Sequence, residues 1–191
     1  DAKSLPPSLP ARAQWLATLA RREVKIDELG KSPQAIDLPH GGRMALVMEA
    51  PTASRFERLT ALRNAAALLL EDTPEEIDLV VEGSLAAAQD AYYVLALNGE
   101  PLPVQKKKAP RALKKLRYFG PGQPADFTAP AALARANTLT RSLSVLPPNV
   151  LTPADYRRRL RSLAKQHGWA IEEFDFKRLQ RMGAGAFCAV A

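Results

Sequence analysis

With 191 residues, 47% of them hydrophobic, the chain is long enough to bury a sizeable core, either as one large domain or as one domain with part of another. This excludes wholesale disorder, and the lack of any run of about 18 apolar residues excludes a hydrophobic helix across a bilayer. Twenty-seven Lys and Arg against twenty Asp and Glu leave a net charge of +7, which raises an anionic partner but does not fix a fold.

The start, DAKSLPPSLPARAQW, lacks the charged-then-apolar order of a secretory signal, and the single cysteine, Cys188, allows no internal disulfide. Both features fit a reducing compartment and lead us to expect a cytoplasmic protein. Cys188 sits in AFCAV, where it reads as a small buried apolar residue rather than a nucleophile.

In chain order, PARAQWLATLARRE places Trp15, Leu16 and Leu19 at helical spacing. HGGRMALVMEA predicts a turn, with His40 in it, followed by a buried strand from Met44 to Met48. In SRFERLTALRNAAALLLEDTP, Ser54 and Glu57 have capping-box spacing. Phe56, Leu59, Leu62, Ala66 and Leu69 fall on one helical face, and Pro74 stops the helix. IDLVVEG from Ile77 predicts a second buried strand, and SLAAAQDAYYVLAL from Ser84 a helix closed by Asn98 and Gly99. APRALKKLRYFG then offers a strand with Leu113, Leu116 and Tyr118 among basic residues. Strands separated by helices imply crossovers and a mostly parallel sheet flanked by helices, a three-layer α/β fold.

Gly120 to Pro130 holds three prolines and two glycines and is expected to be a connector. A helix with Leu133, Ala136, Leu139, Leu143 and Leu146 follows and ends at Pro147 and Pro148. A new helix then starts, with Thr152 as N-cap, Pro153 in the first position and Asp155 favouring the helix N-terminus. Its apolar stripe is Tyr156, Leu160, Leu163 and Ala164, and Gly168 closes it. Arg157, Arg158, Arg159 and Arg161 fall mainly off that stripe, as a solvated face. WAIEEFD is expected to be a strand, Asp175 to cap the short helix FKRLQRMG, and AGAFCAVA to be a buried strand. The expected organisation is an N-terminal α/β domain over 1–119, a connector and linker helix over 120–150, and over 151–191 the first α-β-α-β elements of a second, incomplete α/β domain. A sheet left unfinished at an apolar strand leads us to expect that the chain is the first piece of a longer polypeptide; the alternative is that this terminal strand completes the sheet of the first domain.

LPPNVLTPADYRRRLRSLAKQHGWAIEEFDFKRLQRMGAGAFCAVA resembles the segment that opens the catalytic domain of the M17 leucyl aminopeptidases, the cytosol aminopeptidases. Pro148, Asn149, Leu151, Thr152, Pro153, Tyr156, Asp175, Leu179, Gly183, Gly185 and Ala186 carry the match. LRNAAALLL and AYYVLALNGEPLPVQKKK are similar, more loosely, to parts of that family's N-terminal domain. Val145 and Ala184 depart from its pattern, where Asn and Met are usual.

The resemblance implies a dinuclear hydrolase in which two Zn or Mn ions help remove N-terminal residues such as leucine from peptides. It also implies hexameric homo-oligomers and, in some members, DNA binding through the N-terminal region. The family's two metal motifs, Lys-Gly-x-Thr-Asp-x-Gly-Gly and Asn-Thr-Asp-Ala-Glu-Gly-Arg-Leu, do not occur here. No catalytic and no metal residue is therefore expected within the chain, and the remainder of a catalytic domain would be its partner.

The acids Asp72, Glu75 and Glu76 beside a helix stop, and Glu172, Glu173 and Asp175 further on, read as turn and cap residues, and His167 as a last-turn residue. A second reading rests on Lys106, Lys107, Lys108, Arg111, Lys114, Lys115 and Arg117, with Tyr118 and Phe119 adjacent, as a nucleic-acid contact that would neutralise several phosphates. Such a stretch also serves as a solvated loop and a protected sheet edge.

Overall fold

A computed structural model describes residues 4–39, 41–49, 52–104, 111–122 and 124–190. In α1 (Arg12–Arg21) the spacing of Trp15 and Leu19 turns both inward, where they join Leu5, Leu29 and Ile36 in a first core. Trp15 is fully buried, and its indole N–H donates to Met44 Sδ at 3.2 Å, so its one polar atom is satisfied. A 3-10 turn (Ile26–Gly30) leads into β1 (Gln34–Asp37), which pairs antiparallel with β2 (Arg43–Leu46). β1 was not foreseen: it is four residues long and acquires its identity only from the partner across the turn. His40, expected in that turn, lies outside the described residues.

α2 (Arg55–Leu70) begins at the expected capping box. Ser54 Oγ accepts from the Glu57 N–H at 3.3 Å, and Glu57 Oε2 accepts from the Ser54 N–H at 2.7 Å. Ala66 is buried in a second core with Ile77, Val94 and Leu95, and Leu59, Leu62 and Leu69 pack against it. Phe56, placed on the same face by periodicity, is instead 80% exposed, because it precedes the turns of α2 that reach this core.

β3 (Glu76–Val80) and β4 (Lys115–Phe119) pair in parallel, joined through α3 (Leu85–Gly99). Ser84 caps α3 by accepting from the Ala87 N–H at 3.1 Å. At its other end the Leu113 N–H donates to Gly99 O at 2.9 Å, and Gly99 is required there because a Cβ would sit 2.7 Å from Leu113 Cβ.

α4 (Thr128–Ser144) lies on α3 through polar contacts. Asn137 Nδ2 donates to Tyr93 Oη at 3.1 Å, and Arg141 Nη1 donates to Leu97 O at 2.9 Å. Ala134 is the buried position, whereas Leu133 and Leu139 of the expected stripe stay exposed. The first compact unit runs to Val145 and therefore includes α4; the second starts at Leu146.

In the second unit α5 (Pro153–His167) follows the expected cap and stop. Thr152 Oγ1 accepts from the Asp155 N–H at 3.2 Å, and Gly168 closes the helix at φ 67°, a left-handed backbone that glycine adopts without strain. Ala164 is buried and Leu160 and Leu163 are half-buried, while Tyr156 is exposed. α6 (Phe176–Arg181) is capped by Asp175, whose Oδ1 accepts from the Arg178 N–H at 2.7 Å.

The α/β class holds, with helices around two two-stranded sheets, one antiparallel and one parallel, among the described residues. Two expected strands are corrected. Residues 169–175 form no ladder, since the second unit offers them no neighbouring strand among the described residues. AGAFCAVA contains a short helix, α7 (Gly185–Ala189), in which the Cys188 N–H donates to Ala184 O at 3.1 Å. Alanine is the best helix former, and such a segment satisfies its backbone locally when no strand edge is present.

Candidate functional site

The basic stretch that follows α3 ends in β4, and its register fixes what the cations meet. Glu76 is opposite Lys115 and Asp78 opposite Arg117, so an acidic strand lies beside a basic one. Lys114 Nζ is 3.0 Å from Glu75 Oε2, with Arg111 at 3.9 Å from the same carboxylate. Lys115 Nζ is 3.8 Å from Glu76, and Arg117 Nη2 is 3.6 Å from it. Arg117 also grips Asp78 with two bonds, Nε to Oδ1 at 2.5 Å and Nη2 to Oδ2 at 3.1 Å.

Four cations therefore face three carboxylates. The Lys114 ammonium holds the Glu75 carboxyl below its ordinary range, with a smaller contribution from Arg111, and Asp78 raises the Arg117 guanidinium further. Glu75 and Glu76, read from sequence as solvated turn residues, are in addition ion-pair partners, and Asp72 likewise lies 3.2 Å from Arg43. The remaining three members of the stretch, Lys106, Lys107 and Lys108, lie outside the described residues.

The second charged cluster belongs to the arginines of α5. Arg157 and Arg161 both bond Glu173, with Arg157 Nε and Arg161 Nη2 each 2.8 Å from Oε2. Arg161 first, then Arg157, holds the Glu173 carboxyl down to about 2. Arg158 pairs with Asp155 at 2.9 Å. Arg178 bonds Glu172 at 2.6 Å and stacks its guanidinium over Phe174 at 4.5 Å. These side chains are exposed, as expected of a wet face, but they fasten residues 172–174 to the neighbouring helices.

Among the described residues no three His, Cys, Asp or Glu side chains converge so as to hold a metal ion. His167 stacks on Trp169 with ring centroids 4.7 Å apart, and Cys188 is a half-buried free thiol. No helix among the described residues is long and apolar enough to cross a membrane.

No family model matches the chain. In sequence it is similar to the protein named "Probable cytosol aminopeptidase" of Bordetella avium (strain 197N), at 29% identity over 184 residues, which cover 92% of this chain and 35% of that protein. It is also similar to the cytosol aminopeptidase of Pseudomonas aeruginosa, at 37% identity over 127 residues, 60% of this chain and 25% of that one. The chain thus spans about a third or less of the length of these relatives.

Among solved structures, a mutant tomato leucine aminopeptidase superposes with a TM-score of 0.67 at 18% identity, covering 96% of this chain and 40% of that one. The bottromycin maturation enzyme BotP in complex with Mn superposes at 0.62, also at 18% identity, covering 86% and 35%. At that identity the likeness is one of fold.

Proposed function

We propose, from the resemblance of this chain to the M17 cytosol aminopeptidases over most of its length, that it forms the amino-terminal portion of such an enzyme, one that removes leucine-type residues from the amino termini of peptides in the cytoplasm. The observation that carries the reading is the alignment with the Bordetella protein across 92% of the chain, which joins the loosely similar first unit to the motif-bearing second one.

Hydrolysis of this class uses two divalent ions to activate a water and polarise the scissile carbonyl. The described residues do not fit such a pair, since no three ligating side chains converge among them, and no step of hydrolysis is assigned to them. In this reading the ions, Zn or Mn, are held by the remainder of the catalytic domain, and the 191-residue chain by itself is inactive. The Mn named with BotP supports a divalent metal in this fold. The first unit would serve assembly of a homo-oligomer, a hexamer by resemblance, and help shape access to the site.

The test is hydrolysis of leucine amide by the complete protein, purified and supplied with Mn or Zn. Release of leucine that stops on chelation and returns with metal is the expected result. Absence of hydrolysis with either ion overturns the reading, and light scattering on the same sample reports whether it is a hexamer.

A further inference from the structure

α2 packs against two sheet fragments that share no hydrogen bond with each other, β1–β2 and β3–β4. A groove of about 1560 Å3 opens between them, lined by Met44 and Leu46 of β2, Ile77 and Leu79 of β3, and Ala61 and Ala65 of α2. The exposed Phe56 also lines it.

The strand edges that border the groove are identifiable residue by residue. In an antiparallel pair, hydrogen-bonded and non-hydrogen-bonded partners alternate. The Leu38 N–H donates to Gly42 O at 2.9 Å, which makes Ile36–Met44 a bonded pair and Ala35–Ala45 a non-bonded one. The peptide groups of Ala45 therefore face away from β1. On β3, the Lys115 N–H donates to Glu75 O at 3.1 Å and the Val81 N–H to Phe119 O at 2.9 Å. This turns the peptide groups of Ile77 and Leu79 toward β4 and those of Glu76, Asp78 and Val80 away from it. Ala45, Asp78 and Val80 all line the groove.

Three arginines on its rim are paired with carboxylates, Arg43 with Asp72, Arg58 with Glu49 and Arg117 with Asp78, so between them an occupant meets mainly apolar walls and backbone polar groups. Two unpaired strand edges lining one groove with apolar side walls are complementary to an extended chain.

We infer that an extended, largely apolar β-strand of the same polypeptide, lying outside these residues, fills the groove, pairs with Ala45 on one side and with Asp78 and Val80 on the other, and joins the two fragments into one sheet. The inference rests on the proposed reading of the chain as a portion of a longer protein, supported by its similarity to 35% of the Bordetella relative. A strand in cis is favoured over a second copy because two-stranded sheets are marginal in water, and the unit needs its third strand before it can associate.

Hydrogen exchange on the complete protein tests this. The amides of Ala45, Asp78 and Val80 are expected to exchange at least roughly 100-fold more slowly than in an unstructured peptide, at every protein concentration. Fast exchange there, or protection that disappears on dilution as a second copy would give, overturns the inference. Proline provides a second reading, since open edges accept it and paired ones do not. Ala45→Pro is expected to lower the Tm of the complete protein below that of Ala45→Gly, which keeps the N–H; equal Tm values overturn it. Protection without leucine amide hydrolysis would remove the proposed function and leave the strand standing, and hydrolysis without protection would do the reverse.

Discussion

Arg117 and Asp78 face each other across the parallel pair β3–β4 and are joined by two hydrogen bonds, from Nε at 2.5 Å and Nη2 at 3.1 Å. The pairing divides the basic stretch into two parts. Arg111, Lys114, Lys115 and Arg117 are paired with Glu75, Glu76 and Asp78, whose charge offsets theirs toward a phosphate. Within the basic stretch we therefore propose that a nucleic-acid contact would draw more on Lys106, Lys107 and Lys108 than on the paired cations. Replacing those three with Ala is expected to lower the slope of log affinity for duplex DNA against log salt by roughly 3. Replacing Arg111, Lys114 and Lys115 is expected to change it by less. Equal effects of the two triple variants, measured by fluorescence anisotropy across a salt series, would refute this division.

Thr152→Ala removes the oxygen that accepts from the Asp155 N–H at the start of α5 and is expected to cost about 1 kcal/mol of stability in the unit that contains it. Thr152→Ser keeps the oxygen and is expected to retain most of it. Urea unfolding of the complete protein, followed by exchange of α5 amides, separates the two.

Trp15 is fully buried, touches the first core from α1 and has its indole N–H satisfied by Met44. Trp15→Ala is expected to cost about 3–5 kcal/mol, and Trp15→Phe less, since it leaves a smaller void. Thermal unfolding of the first unit checks the order.

Glu173 carries the pH prediction. Its carboxyl lies at about 2 rather than the ordinary 4.5 because Arg161 and Arg157 bond the charged form. The folded value is below the unfolded one, so the contact is fully stabilising above about pH 4.5 and is lost as pH falls toward 2. Carbon-detected NMR of Glu173 is expected to titrate near 2 in the natural chain. In the Arg157→Ala, Arg161→Ala double variant it should titrate near 4.5. A natural-chain midpoint near 4.5 would show that the arginines do not hold it.

The sequence made local features legible where the cause lies within one turn. The Ser54–Glu57 box, the Thr152–Asp155 cap, the Asp175 cap and the Gly168 stop are all found where spacing places them. It misled where the deciding partner is remote. WAIEEFD and AGAFCAVA are short apolar runs that periodicity cannot assign between strand and helix, and neither meets a strand edge among the described residues. The acid partners of the basic stretch were likewise invisible, because Arg117 and Asp78 are 39 residues apart in sequence and meet only when β3 and β4 pair. The resemblance to the aminopeptidases is carried by single residues from Pro148 to Ala186 that match the family's motif, and such a match needs no tertiary knowledge.

Gly99 and Leu113 close a ring in the chain, since the Leu113 N–H donates to Gly99 O and the missing side chain of Gly99 admits Leu113 against it. The chain leaves at Gly99 and returns at Leu113 to one fixed point, so the fold brings the two ends of the intervening segment together. Doubling such a segment costs only about 0.6 kcal/mol of closure entropy. A change of length between these two residues is thus expected to leave the register of β3 and β4 in place, because that register is set outside the segment.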